Sequence, residues 1–116
     1  MEANQNLSQG IPLGFAQPIP LSGFIQYSDG SIVSKQLIKQ KSGTISLFAF
    51  DKGQSLSEHT APFNAFVEIV DGTAEIVIDK HLNTVKAGEF IILPANVPHS
   101  VNAAERFKMV IVMIKE

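Results

Sequence analysis

The chain has 116 residues, 45% of them hydrophobic and 17% charged, enough for one compact core and too apolar for a disordered polymer. Nine Lys and Arg against eleven Asp and Glu give a net charge of -2, which leaves no electrostatic surplus for gripping a phosphate backbone, so no nucleic-acid partner is expected. No apolar run approaches the roughly 18 residues that span a bilayer, so no membrane partner is expected either.

The first residues, Met1 to Gln9, lack both a basic stretch and an apolar core. No export signal is expected, and the cytoplasm is the expected location. Residues 1–22 read as an irregular N-terminal arm, because Pro12, Pro18 and Pro20 forbid a continuous helix. Its apolar residues Ile11, Leu13, Phe15, Ile19 and Leu21 form an extended strip that should dock on its own domain or on a neighbour's.

Residues 23–116 form the second unit, a succession of short Val-, Ile-, Phe- and Thr-rich segments divided by turn residues, as in an all-β sandwich or barrel. Nine strands are predicted, over 24–27, 31–38, 44–50, 65–70, 74–78, 82–85, 90–93, 99–103 and 107–114. Asp71-Gly72 lies between two apolar runs and predicts a tight hairpin. Lys41 to Gly43 and Asp79 to His81 predict two more. The last segment is apolar on both parities after Lys108 and should be a strand covered on both faces. Met109 and Met113 share a face with Phe107 and Ile111 and read as core filling.

The chain has no cysteine, so disulfides, thiolate nucleophiles and cysteine metal sites are excluded. Any chemistry falls to histidine, to carboxylates or to a bound ion. His81 sits beside the Asp79-Lys80 turn, where a polar side chain normally faces water. His59 stands six positions after Gly53, and His99 follows Pro94-Ala95-Asn96-Val97-Pro98 and opens an apolar strand.

On these residues the chain resembles the small single-domain cupins, the RmlC-like barrels of the cupin-2 type, from about Phe24 to Ile114. The family's first motif, G(X)5HXH(X)3,4E(X)6G, is met by Gly53, His59 and Gly72; the second, G(X)5PXG(X)2H(X)3N, by Gly88, Pro94 and His99. Asn96 replaces a motif glycine, a tolerable change because Asn enters the left-handed region more easily than other residues with a side chain. The resemblance implies a double-stranded β-helix, or jelly roll, forming one barrel with a cavity open at one end. It also implies a metal held by three histidines and a carboxylate. Here the second histidine position is Ala61, and the carboxylate position falls on Asn64 or Ala65. Only His59 and His99 remain, and a divalent ion such as Zn, Ni, Cu, Mn or Fe would be held weakly.

Alternation along 64–68 puts Asn64, Phe66 and Glu68 on one side, taken as the cavity side. Glu68 lies about 13 Å along the strand from Asn64, too far to replace a ligand, so an inward Glu68 would act as a proton donor or acceptor. Phe63, Phe66, Ile91, Leu93 and Val101 are candidates for apolar lining. The expected function is a small-molecule-binding barrel with His59 and His99 at the mouth of an apolar pocket, and Asn64, Phe66 and Glu68 as further ligand contacts. The alternative is a metal-dependent oxygenase, isomerase or decarboxylase using the two histidines as ligands, and a third reading is a purely structural or regulatory domain. The two-sided last strand and the apolar arm both need cover, which points to a homodimer.

Overall fold

The computed structural model describes residues 14–115 and is all-β. Among these residues eight strands form: β1 (Ile32–Gln40), β2 (Gly43–Phe50), β3 (Ser55–His59), β4 (Ala65–Ile78), β5 (His81–Lys86), β6 (Phe90–Leu93), β7 (His99–Asn102) and β8 (Phe107–Ile114). No helix here is long and apolar enough to cross a membrane. The apolar residues of the arm beyond Gly14, Ile11 and Leu13, lie outside the described residues, as does Pro12.

All pairings are antiparallel. One sheet runs β1-β2-β8-β4-β6, and the other joins β3, β7, the second half of β4 and β5. Two of the expected hairpins form. Gln40 pairs with Gly43 across Lys41-Ser42, and Ile78 pairs with His81 across Asp79-Lys80, where φ is 49° and 68°. Positive φ at both central residues matches the right-handed strand twist, and Asp can supply it without glycine.

The third hairpin does not form. Residues 65–70 and 74–78 belong to a single strand, and Asp71 and Gly72 pair with Lys108 and Phe107 of β8 through a register shift between Ile69 and Asp71. The inserted residue is a bulge, and it reverses the parity of the strand. Before it Ala65, Val67 and Ile69 face inward; after it Ala74 and Ile76 do, and all five belong to one buried cluster. Fourteen residues would run about 46 Å if straight, so a strand whose two legs face one core must fold back at the bulge. Gly72 permits the fold: its φ is +75°, and a Cβ there would lie 2.1 Å from the Arg106 carbonyl oxygen.

The core between the sheets is built around Phe50 and Phe107, whose rings stack with centroids 4.5 Å apart, together with Met109, Leu93, Val85 and Val101. The last strand is central, between β2 and β4, and both of its faces are used. Phe107, Met109, Ile111 and Met113 point into this core, whereas Val110 and Val112 belong to a second cluster outside the first sheet.

That second cluster corrects another expectation. Residues 24–27 form no strand; they lie over the outer face of the first sheet, with Ile25 fully buried against Leu47, Ala49 and Val110. The segment is fixed by polar bonds at both ends. Lys35 Nζ donates to the Phe24 carbonyl at 2.7 Å and sits over the Phe24 ring, and buried Lys108 donates to the Ser22 carbonyl at 2.6 Å. The Tyr27 hydroxyl donates to Asp71, and burial together with that bond holds the phenol protonated well above its usual range. Part of the cover that the last strand needs is thus supplied by its own chain.

Candidate functional site

β3, which the sequence pattern did not signal, carries His59, and β7 opens with His99. The two histidines are register partners. Their rings meet edge to face, with centroids 4.4 Å apart and planes at 67°. His99 also pairs with Ile78 of β4 and is 7% exposed, whereas His59 is exposed. His81 stays apart, exposed at the start of β5.

Each ring is held in the same way. His59 Nδ1 lies 2.7 Å from the Ser57 carbonyl oxygen, and His99 Nδ1 lies 3.2 Å from that of Val97. A carbonyl can only accept, so each Nδ1 carries the proton. In the neutral ring Nε2 then keeps its lone pair. Two rings, each with Nε2 unbonded among the described residues, therefore lie in contact, oriented by the backbone two residues upstream. Burial pushes the His99 pKa down, the bond to Val97 opposes it, and the neighbouring His59 lowers it further.

The loops that carry the pair are tied together at one end of the barrel. Asn96 N donates to the Ala61 carbonyl at 2.7 Å, and Ala95 N donates to Asn64 Oδ1 at 2.8 Å. Asn96 takes φ 64°, so it occupies the left-handed region that glycine enters freely and Asn tolerates. Asn64 is thus engaged in holding the 94–96 turn.

Phe66 and Glu68 are not inside. The inward residues of the first leg of β4 are Ala65, Val67 and Ile69, so Phe66 and Glu68 point away from the core, and Phe66 stacks on Phe90 with centroids 5.0 Å apart. The expectation counted alternation from Asn64, which precedes the strand. Register with β8 and β6 puts Ala65, between Leu93 and Met113, on the inner face instead. Of the lining candidates, Leu93, Val101 and Ile91 join the core, whereas Phe63 is half-buried beneath Lys115.

The donor set does not fit a resident four-ligand ion. Ala61 offers no donor atom, the motif count from Ala61 reaches Ala65 or Phe66, both apolar, and not Asn64, and the Asn64 side-chain oxygen already accepts from Ala95 N. Among the described residues, no group of three or more His, Cys, Asp or Glu is placed to hold a metal. Hollows lined by described residues include one of about 420 Å³ between the arm and β1, one of about 650 Å³ between β5 and β6, and one of about 260 Å³ at the β1–β2 turn. None of these three includes either histidine.

A two-sheet antiparallel barrel, folded about one bent strand and carrying paired histidines at one end, is a jelly roll of the histidine-bearing kind. Residues 46–115 match the Cupin domain family, and the chain belongs to that family. It is similar in structure to a conserved protein of unknown function from Streptococcus pyogenes, with TM-score 0.83 and 34% identity over 87% of this chain and 89% of the other. A cupin 2 conserved barrel domain protein from Leptotrichia buccalis gives TM-score 0.79 and 38% identity over 82% of this chain and 46% of the other, so this chain spans under half of that protein. A cupin superfamily protein from Desulfitobacterium hafniense gives TM-score 0.83 and 26% identity, covering 91% of this chain and 95% of the other. No curated protein matches the chain.

Proposed function

We propose that the protein is a small-molecule-binding cupin in which His59 and His99 contact the ligand. The observation that carries this reading is the pair of Nε2 atoms left free by backbone bonds at both Nδ1 positions. Groups fixed in this manner lose little freedom when a ligand arrives. The metal-enzyme reading is disfavoured by the donor set, since two neutral imidazoles retain a divalent ion poorly.

The test is a thermal-shift screen of small acids, sugars and aromatic compounds, with metal analysis of protein purified without an affinity tag. Ligand stabilisation that is lost in His99→Ala and in His59→Ala supports binding. A stoichiometric metal that disappears in either variant overturns it in favour of the enzyme.

The binding unit in this reading is a homodimer. Phe90, Ile92 and Ile114 are 61%, 45% and 62% exposed. Ile92 and Val112 flank Phe66 on neighbouring strands, so the outer face of β6, β4 and β8 beyond residues 24–27 carries an apolar patch, interrupted by Glu68 between Phe90 and Val110, of the kind that associates. Light scattering should give twice the chain mass, and Phe90→Glu should halve it. A monomeric wild type refutes this part.

A further inference from the structure

The inner face of β2 holds two buried hydroxyls among apolar neighbours. Phe48 and Phe50 face the core, so the same parity puts Thr44 and Ser46 inside, and both are buried. Thr44 is 3% exposed, and its Oγ1 has no hydrogen-bond partner among the described residues. Leaving a buried hydroxyl unpaired is costly, and native chains keep such groups rarely without a use for them.

These hydroxyls lie at the histidine end of the barrel. Register sets Thr44 beside Met113, Met113 beside Ala65, and Ala65 beside Leu93. Ile114, the partner of Gly43, donates its amide to the Asn64 carbonyl. The Asn64 side chain in turn holds the loop that leads to His99. A second route agrees. The chain reverses at Asp51 to Gln54, where Gln54 N donates to the Asp51 carbonyl, so β3, in the facing sheet, runs from that end toward the one at which β2 begins. The bend of β4 likewise sets Ile78, the partner of His99, at the same end as Ala65.

We propose that Thr44 and Ser46 are ligand-contacting residues of the histidine site, and that the site takes an uncharged, hydroxylated small molecule such as a diol or a sugar. The inference rests on the binding function proposed above and names its ligand class. Two neutral imidazole nitrogens accept hydrogen bonds, and the two hydroxyls donate or accept. Apart from His99, no buried inner-face residue among those described can carry a charge; the buried cation Lys108 lies on the outer face. A carboxylate would meet bare lone pairs on Nε2 with no buried cation to offset its desolvation. A ligand hydroxyl meets an acceptor at one side and a hydroxyl at the other, with Met113, Ile111 and Leu93 offering apolar contact.

The experiment titrates the protein at pH 7.5 with cis-1,2-cyclohexanediol and, separately, with cyclohexanecarboxylate, which match in ring size and differ in charge. Ring signals of His59 and His99 and the Thr44 methyl are followed by NMR. The diol should move all three sets of signals and the carboxylate none. Thr44→Val, which keeps the shape and removes the hydroxyl, should weaken the diol about tenfold, the usual scale for losing one such bond. Ser46→Ala gives an independent measure of the same surface should the first variant fold poorly.

Carboxylate binding without diol binding overturns the ligand class and leaves the histidine site standing. Diol binding that shifts the histidines equally in wild type, Thr44→Val and Ser46→Ala overturns the role of the hydroxyls. If neither compound moves a histidine signal, the ligand class fails here, and the broader screen described above decides whether the binding function fails with it.

Discussion

Three glycines separate two costs that usually come together, a left-handed backbone and a crowded Cβ. Gly88 has φ +92° and open space around the position of a Cβ. Gly43 has no positive φ, but its Cβ would lie 2.4 Å from the Met113 carbonyl oxygen. Gly72 combines both, with φ +75° and a contact of 2.1 Å to the Arg106 carbonyl oxygen, followed by the Phe107 Cα at 3.0 Å. Substitution to Ala should therefore cost about 1–2 kcal/mol at Gly88, the penalty for an L-residue in the left-handed region. At Gly43 it should cost about 1–3 kcal/mol, the range for forcing packed backbone apart. Gly72→Ala should lose about the sum, roughly 2–5 kcal/mol, which is a large share of the 5–15 kcal/mol typical of a domain.

Urea unfolding of the three variants, read through midpoint and slope, measures these differences directly. The ordering matters more than any one value, since each comparison uses the same Gly→Ala change. If Gly72→Ala is no worse than Gly88→Ala, the β8 backbone moves aside freely and the bulge is not the rigid corner described here. A neutral Gly43→Ala would point the same way.

Further outcomes follow from the buried and anchored groups. The folded-state pKa of His99 lies below its ordinary value near 6.5, so the unfolded chain takes up that proton first. His99 therefore leaves stability unchanged above about pH 6.5 and lowers it as pH falls from there toward the folded value, below which its effect levels off. His99→Gln should flatten this part of a stability–pH curve, and an unchanged curve would refute the burial argument. Ile25→Ala should cost about 2–5 kcal/mol, as for other buried truncations, and should raise protease sensitivity in residues 24–27 before global unfolding. Asp51 accepts from the Gly30 amide at 2.6 Å and pairs with Arg106 at 2.8 Å, which hold its carboxyl below the usual range. Asp51→Ala should speed hydrogen exchange at Gly30, and an unaltered rate would show that the turn is held by other bonds.

What could be read from the chain and what could not divide along a physical line. Motif spacing brought His59 and His99 together because both sit at fixed counts from turn-forming residues, and turns fix register. The last strand was legible from end to end because a central strand must be apolar on both faces. The bulge was not. Asp71-Gly72 satisfies the local rule for a two-residue hairpin, yet β8 supplies partners for both residues, and tertiary pairing overrides the turn preference. The parity of Phe66 and Glu68 then failed for the same reason, since parity has meaning only relative to the partner strand. β3 escaped notice because Ser55-Leu56-Ser57-Glu58 offers a single apolar residue, and its outer positions face water. The direction of the Thr44 and Ser46 hydroxyls had no signal in the chain, because Ile45, Leu47 and Ala49 on one parity and Phe48 and Phe50 on the other leave both faces of the strand apolar. Only the second cluster, which claims Ile45, Leu47 and Ala49 for the outer face, turns them inward. A sheet covered on both sides hides which of its faces is the interior, and here that face carries the polar atoms a ligand would need.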